Sequence, residues 1–261
     1  RTLGAEHPDT LTSKANLANT LKAQGDLAGA RRLDETVLEA RERTLGTAHP
    51  NTLSSKNNLA STLKAQGDLT GARHLQEAVL EARERTLGTE HPNTLSSKNN
   101  LASTLWQQGD LVGARRLEEA VLEARERTLG AEHPSTLSSK NNLASTLKAQ
   151  GDLAGARHLQ EAALEARERT LGAEHPDTLT SKNNLAFILW QLKEHEPALK
   201  LMRNAYEGRV ATLGKQHPDT LNSGQALLDL MLEMELHQEA RALSKELHRS
   251  NTGSQRGNFD S

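Results

Sequence analysis

The sequence predicts an all-α solenoid of six helical hairpins, and three observations lead there. The first is a self-repeat: the string Arg43-Thr44-Leu45-Gly46 returns at Arg85, Arg127 and Arg169, each time 42 residues on. The frame also accommodates Arg1 at the front and, with Ala211 in place of Arg, a last copy. Periods of this length mark arrays in which each repeat is one supersecondary unit. The second observation is that every copy carries apolar residues at helical spacing between Pro and Gly stops. The third is composition: aromatic residues make up only 2% and Leu and Ala carry the apolar load. That mixture suits many small helix–helix contacts rather than one thick centre. Six units follow, 1–42, 43–84, 85–126, 127–168, 169–210 and 211–252, the last a capping repeat. Residues 253–261 (GSQRGNFDS) are polar and aperiodic and are expected to be a disordered tail.

The second unit serves as the type. Pro50 suits the first turn of a helix, where its missing N–H costs nothing. Leu53, Leu59, Ala60 and Leu63 then fall on one side at ~100° per residue. Gly67 ends this helix and Asp68 is a good N-cap for the next. In the second helix Leu69, Ala72, Leu75, Val79, Ala82 and Thr86 form one stripe. Arg73, Glu77, Glu81 and Arg85 lie opposite, with Glu81 and Arg85 in the favourable i,i+4 order. Gly88 is placed to be a left-handed C′ residue. Gly71 and Ala72, with almost no side chain, are expected to let the two helices approach closely. One such hairpin cannot bury its own apolar stripe; stacking on its neighbours does so.

The bulk numbers exclude several function classes. Formal net charge is −2 with 25% charged residues, whereas a nucleic-acid binder shows a basic excess or stripe. Stacking platforms for single strands are almost absent as well. There is no cysteine, so disulfides, thiolate chemistry and Cys-based zinc sites are out. This fits a reducing compartment, and a cytoplasmic location is expected. No apolar run approaches the ~20 residues of a membrane helix. Arg1 falls in phase with the repeats, which suggests further chain upstream.

The run Asn57-Asn58-Leu59-Ala60, then Leu63, Gly67, Ala72, Leu75 and Leu80, then Leu87-Gly88, resembles the 42-residue tetratricopeptide repeat. It is similar to the repeats of kinesin light chains and nephrocystin-like proteins, and to the C-terminal arrays of many STAND-type NTPases. The resemblance covers residues 1–252. It implies a right-handed α-solenoid that binds other proteins, in which the first helices line the concave side. One departure matters. Kinesin light chains often carry an apolar residue before the Asn pair, but this chain has Lys14, Lys56, Lys98, Lys140 and Lys182. Such a Lys is expected to lay its stem along the core and push its ammonium out to water. Kinesin cargo specificity is therefore not carried over.

Projection of the first helix places Ser54, Asn58, Ser61 and Ala65 away from the Leu stripe. Along the array that face offers Asn16, Asn58, Asn100, Asn142 and Asn184, with Asn57, Asn99, Asn141 and Asn183 beside them and Ser61, Ser103 and Ser145 among them. Asn is a mediocre helix former, so nine of them need a reason. A carboxamide both donates and accepts, so a row of them could pair with an extended peptide backbone. Equally, they could bond between neighbouring repeats. In the fifth copy Phe187 replaces Ser and Trp190 replaces Lys; Trp106 makes the latter change in the third. Aromatic anchors often dominate interfaces. Packing against an irregular capping unit is the alternative, and the preferred one. The sixth unit is rich in apolar residues from Leu227 to Leu236. Either part of it is a dimer or partner surface, or the helix from Gln238 to His248 covers it. Asp229 and Glu233 fall on its outward face, so a bound peptide would offer an apolar anchor with a basic residue beside it.

Catalysis finds no footing: there is no phosphate-binding glycine loop, no G-x-S-x-G and no H-E-x-x-H. His7, His49, His91, His133, His175 and His217 recur in register, but metal–nitrogen bonds near 2 Å do not span helices ~8–10 Å apart. A junction role is expected, by stacking or by bonding backbone at the helix start. The sequence thus predicts a non-enzymatic scaffold without metal or cofactor that binds a protein or peptide. The STAND resemblance adds a sensor role within a larger signalling protein. The other class is a structural spacer or self-assembly module with no dedicated ligand, including a homodimer through the sixth repeat.

Overall fold

Each helix begins and ends where local chemistry dictates. In a computed structural model describing residues 4–256, Pro stands at the first position of every first helix. These are α1 (Pro8–Ala23), α3 (Pro50–Ala65), α5 (Pro92–Gln107), α7 (Pro134–Ala149), α9 (Pro176–Gln191) and α11 (Pro218–Glu233). The preceding His is the N-cap: His49 Nδ1 accepts from the Asn51 N–H at 3.1 Å, and the other five do the same. The expected junction role of the histidines is therefore a helix cap, which satisfies a donor the helix leaves orphaned. The first helix closes in a Schellman motif, with Asp68 N–H bonding Leu63 O at 2.9 Å and Gly67 N–H bonding Lys64 O at 3.1 Å. Gly67 sits there at φ +84°, which glycine adopts freely.

The second helices are α2 (Leu27–Leu45), α4 (Leu69–Leu87), α6 (Leu111–Leu129), α8 (Leu153–Leu171), α10 (His195–Leu213) and α12 (His237–Arg256). One expectation needs correction here. Gly88 is not left-handed α: its φ of 91° and ψ of 164° fall in the region that only glycine occupies. At Gly71 the nearest atoms belong to the cap of its own helix. The Asp68 carboxylate caps α4 by accepting from the Gly71 N–H at 2.9 Å, and a Cβ on Gly71 would sit 2.7 Å from Asp68 Oδ2. A side chain at this position would therefore crowd the capping carboxylate, which would have to shift. The observed hairpins thus run from Pro to Gly, 50–88 for the type unit, so the Arg-Thr-Leu-Gly string closes one hairpin rather than opening the next. Residues 253–256, expected in the tail, are helical. α12 continues to Arg256, and the remainder, 257–261, lies outside the described residues.

The hairpins gather into two compact units, Arg1–Ala124 and Arg125–Ser261. In the first unit the core is a chain of small clusters. Leu11 and Ala15 meet Val37 and Ala40; Leu38 meets Leu59, Ala60, Leu63 and Ala72; Leu53 meets Val79 and Ala82; Leu101, Ala102 and Leu105 meet Ala114. Each joins helices adjacent in the chain, as a stack of hairpins requires. Fully buried side chains such as Val79 contribute ~1.5–3 kcal/mol apiece relative to exposure. The second unit opens the same way, with Leu137 against Ala163 and Ala166. It ends in a larger cluster running from Leu164 through Met202, Tyr206, Leu230 and Met231 to Leu243. There α12 covers the apolar side of α11, and of the Leu227–Leu236 stretch Leu232 stays well exposed, at 50%.

Polar rungs tie each second helix to the next first helix. Arg83 Nη1 donates to Asn93 O and Ser97 Oγ, both at 2.9 Å. Arg41 reaches Asn51 O and Ser55, Arg125 reaches Ser135 O and Ser139, Arg167 reaches Ser181, and Arg209 reaches Ser223. Burial lowers the pKa of all five guanidiniums from the ordinary arginine value. A second rung corrects the lysine expectation. Lys56 Nζ pairs with Glu42 at 2.9 Å, with its side chain only 14% exposed. Lys98–Glu84, Lys140–Glu126 and Lys182–Glu168 repeat the pairing. In the sixth hairpin these two registers hold Gly224 and Val210. The Tyr206 ring fills the space, 2.9 Å from where a Gly224 Cβ would lie.

Candidate functional site

The exposed face of the first helices is assembled from the residues the spacing singled out. On α3 the buried side is Leu53, Leu59, Ala60 and Leu63, joined by Thr52, Ser55 and Thr62. Ser54, Ser61 and Ala65 are exposed and Asn58 is half-buried. Asn16, Asn100 and Asn142 are exposed in the same register and Asn184 half-buried. The chain uses backbone carbonyls here, Asn16 O accepting from Thr20 and Asn100 O from Thr104. No bond to the five carboxamides themselves is found among the described residues. Each keeps a free donor and a free acceptor.

The neighbouring asparagines turn the other way. Asn57, Asn99, Asn141 and Asn183 are half-buried, because one residue's turn of ~100° carries the side chain to the flank of the second helix. With its carboxamide oxygen facing the guanidinium, Asn141 accepts from Arg167 Nη1 at 2.7 Å and donates to Gln160 Oε1 at 2.9 Å. Both partners lie on α8, within the same hairpin. In the next hairpin Met202 occupies the register of Gln160, and Asn183 Oδ1 is buried without a partner. Asn141 and Asn183 are therefore turned into the hairpin, whereas Asn16, Asn100 and Asn142 stand exposed.

In the first unit consecutive first helices are bridged across the exposed face. Lys22 Nζ donates to Ser61 Oγ at 3.1 Å and Lys64 Nζ to Ser103 Oγ at 2.7 Å. Burial lowers the pKa of Lys64. Ser145 Oγ donates instead to Asn141 O. In the lysine register α5 carries Trp106, 45% exposed, and α9 carries Trp190.

Between α9 and α11 the bridge is replaced by a cleft of about 510 Å³. Phe187, Trp190 and Gln191 line it from α9, and Asn222, Gln225, Ala226, Asp229 and Glu233 from α11. The i, i+3, i+4 spacing puts each set on one face of its helix. Phe187 is 39% exposed, whereas Trp190 is half-buried and packs partly on the core of the second unit. Gln225 Nε2 donates to Asp229 Oδ1 at 2.8 Å, which holds that carboxylate on the cleft wall. Sequence reasoning named Phe187, Trp190, Asp229 and Glu233 but missed Gln191, Asn222, Gln225 and Ala226. Counting back from Asp229 in steps of three and four would have found the last three.

The tetratricopeptide repeat model matches residues 51–127, 97–169, 135–209 and 177–250, and a second model of that description matches residues 10–51. A Podosopora anserina protein described as a putative kinesin light chain with nearly identical TPR-like repeats is 32% identical in its crystal structure. The match covers 79% of this chain and 98% of that one, with a TM-score of 0.72. A singly substituted form of that protein gives 30% identity over 81% and 99%, with a TM-score of 0.73. BtubC (BKLC) from P. vanneervenii, 23% identical over 82% and 87% with a TM-score of 0.70, shares the fold. No curated protein matches the chain. Tetratricopeptide repeats are generally non-catalytic scaffolds for protein–protein interaction. With matched segments running from residue 10 to residue 250 and a 32% identical structural relative, the chain belongs to the tetratricopeptide repeat family.

Proposed function

We propose that this chain holds an extended segment of a partner protein against the exposed faces of its first helices, with the α9–α11 cleft as the anchoring point. The cleft carries the reading: it is lined wholly by first-helix residues, it exposes Phe187, and its volume of about 510 Å³ falls in the range of ligand pockets. The open carboxamides of Asn142 and Asn184 on α7 and α9 would pair with peptide backbone, which makes that part of the contact indifferent to sequence. The anchor is a side chain with an apolar stem or flat face, seated against Phe187 and Trp190. The wider setting, the sensor end of a STAND-type protein, rests on repeat resemblance, and the gene sequence upstream of Arg1 tests it. A homodimer through the sixth repeat has little to stand on, since α12 covers α11 and Leu232 alone is ordinary surface.

The test is a pull-down with quantitative mass spectrometry, comparing the chain with its Phe187→Ala/Trp190→Ala variant. The reading expects specific partners to be depleted at least several-fold while the far-UV circular dichroism is unchanged. An identical partner set from the two proteins would leave the spacer alternative.

A further inference from the structure

The α9–α11 cleft can be read against the chain's own repeats. In the first unit a lysine on one first helix reaches a serine on the next, 39 residues on: Lys22 to Ser61, Lys64 to Ser103. At α9 the lysine register holds Trp190, and the residue in its target register on α11 is Asp229. The cation has been taken out, the neutral acceptor has become a carboxylate, and a second carboxylate, Glu233, lies one turn further along the same wall. Among the described residues no lysine or arginine lines the cleft. Asp229 is exposed, with Gln225 bonded to one of its oxygens.

We infer that the cleft takes an arginine side chain from an extended peptide, which supplies the cation this rung lacks. This rests on the binding reading above and adds the residue it recognises. Arginine fits better than lysine for two reasons. Its planar guanidinium stacks on aromatic rings, which Phe187 and Trp190 provide, and it bonds carboxylates through two parallel N–H groups. Asn222 and Gln225 stand where they can pair with the peptide backbone beside the arginine. Placed between aromatic and carboxylate walls, the guanidinium forms charge-assisted hydrogen bonds, which are roughly twice as strong as neutral ones.

The experiment uses the Trp106→Phe chain, so that Trp190 is the sole tryptophan and reports on the cleft. Two capped peptides are titrated in low salt: acetyl-Ala-Leu-Arg-Leu-Ala-amide, and the same peptide with the neutral isostere citrulline in place of arginine. The expected result is a saturable Trp190 fluorescence change, with the arginine peptide bound about ten-fold more tightly, the ratio one charge-assisted hydrogen bond supplies. Asp229→Asn/Glu233→Gln should bring the arginine peptide to the citrulline level and leave the citrulline peptide unchanged. Should that variant misfold, added NaCl serves instead: it should weaken the arginine peptide alone. Equal affinity for the two peptides overturns the arginine assignment and leaves the scaffold reading standing. Absence of binding by both peptides also overturns it; the Phe187/Trp190 pull-down decides the scaffold reading separately.

Discussion

Removing one arginine rung measures how strongly neighbouring hairpins are joined. Arg83→Met keeps the apolar stem and deletes two hydrogen bonds of 2.9 Å, to Asn93 O and to Ser97 Oγ. Bonds to a charged group contribute ~1.5–3 kcal/mol each, so the gross loss is about 3–6 kcal/mol. Two facts reduce it. Ser97 Oγ itself donates to Asn93 O at 3.2 Å, so neither group on α5 is orphaned when the guanidinium goes. And the burial that lowers the Arg83 pKa is relieved once the charge is gone. The net loss should be about 1–2 kcal/mol. Urea titrations followed at 222 nm on the wild type, Arg83→Met, Ser97→Ala and the double variant give a coupling energy, expected at ~0.5–1.5 kcal/mol. Hydrogen exchange should show the lost protection concentrated in α4 and α5, because stability in such stacks is a nearest-neighbour property. A variant within ~0.3 kcal/mol of wild type, or a coupling of zero, would refute the claim that these rungs join the hairpins.

Two further predictions concern single residues. Asp34 is 3% exposed; desolvation raises its pKa above the ordinary carboxylate value, against the opposing hydrogen bond from Thr62 Oγ1 at 2.7 Å and the charge of Lys22. The folded state therefore holds this proton more tightly, so stability falls as pH rises from the ordinary carboxylate range through the raised folded value. Asp34→Asn should raise the melting temperature at pH 7 and lose that advantage by pH 3; a lower melting temperature at pH 7 would contradict the assignment. Lys193 and Glu235 hold φ of 66° and 60° in the Schellman position that glycine fills in the first four hairpins. A non-glycine residue there costs ~1–2 kcal/mol, partly offset by glycine's greater unfolded-state freedom. Lys193→Gly and Glu235→Gly should each add ~0.5–1 kcal/mol in urea titrations, and a loss at both would show that the side chains matter more than the backbone.

Much of the site was legible because its parts obey helical arithmetic. Phe187, Trp190, Asp229 and Glu233 could be placed on an outward face by counting, as could the open asparagines Asn16 to Asn184. The adjacent asparagines could not be separated that way. Asn141 and Asn142 are neighbours in the chain, and only the packed position of α8 makes one of them a partner of Arg167 and Gln160.

The sequence by itself determined the period, the paired helices and their ends. Those depend on signals within a few residues: Pro and a capping His at one end, glycine at positive φ at the other, and an apolar stripe between. Tertiary structure decided what each polar side chain does. Arg83 finds Ser97 14 residues away and Lys64 finds Ser103 39 away, separations at which no helical period operates. Contacts of that kind depend on how one helix is rotated against the next. That rotation is set by the fit of small side chains, such as Ala60, Ala72 and Val79 in the first unit, where Lys56 meets Glu42.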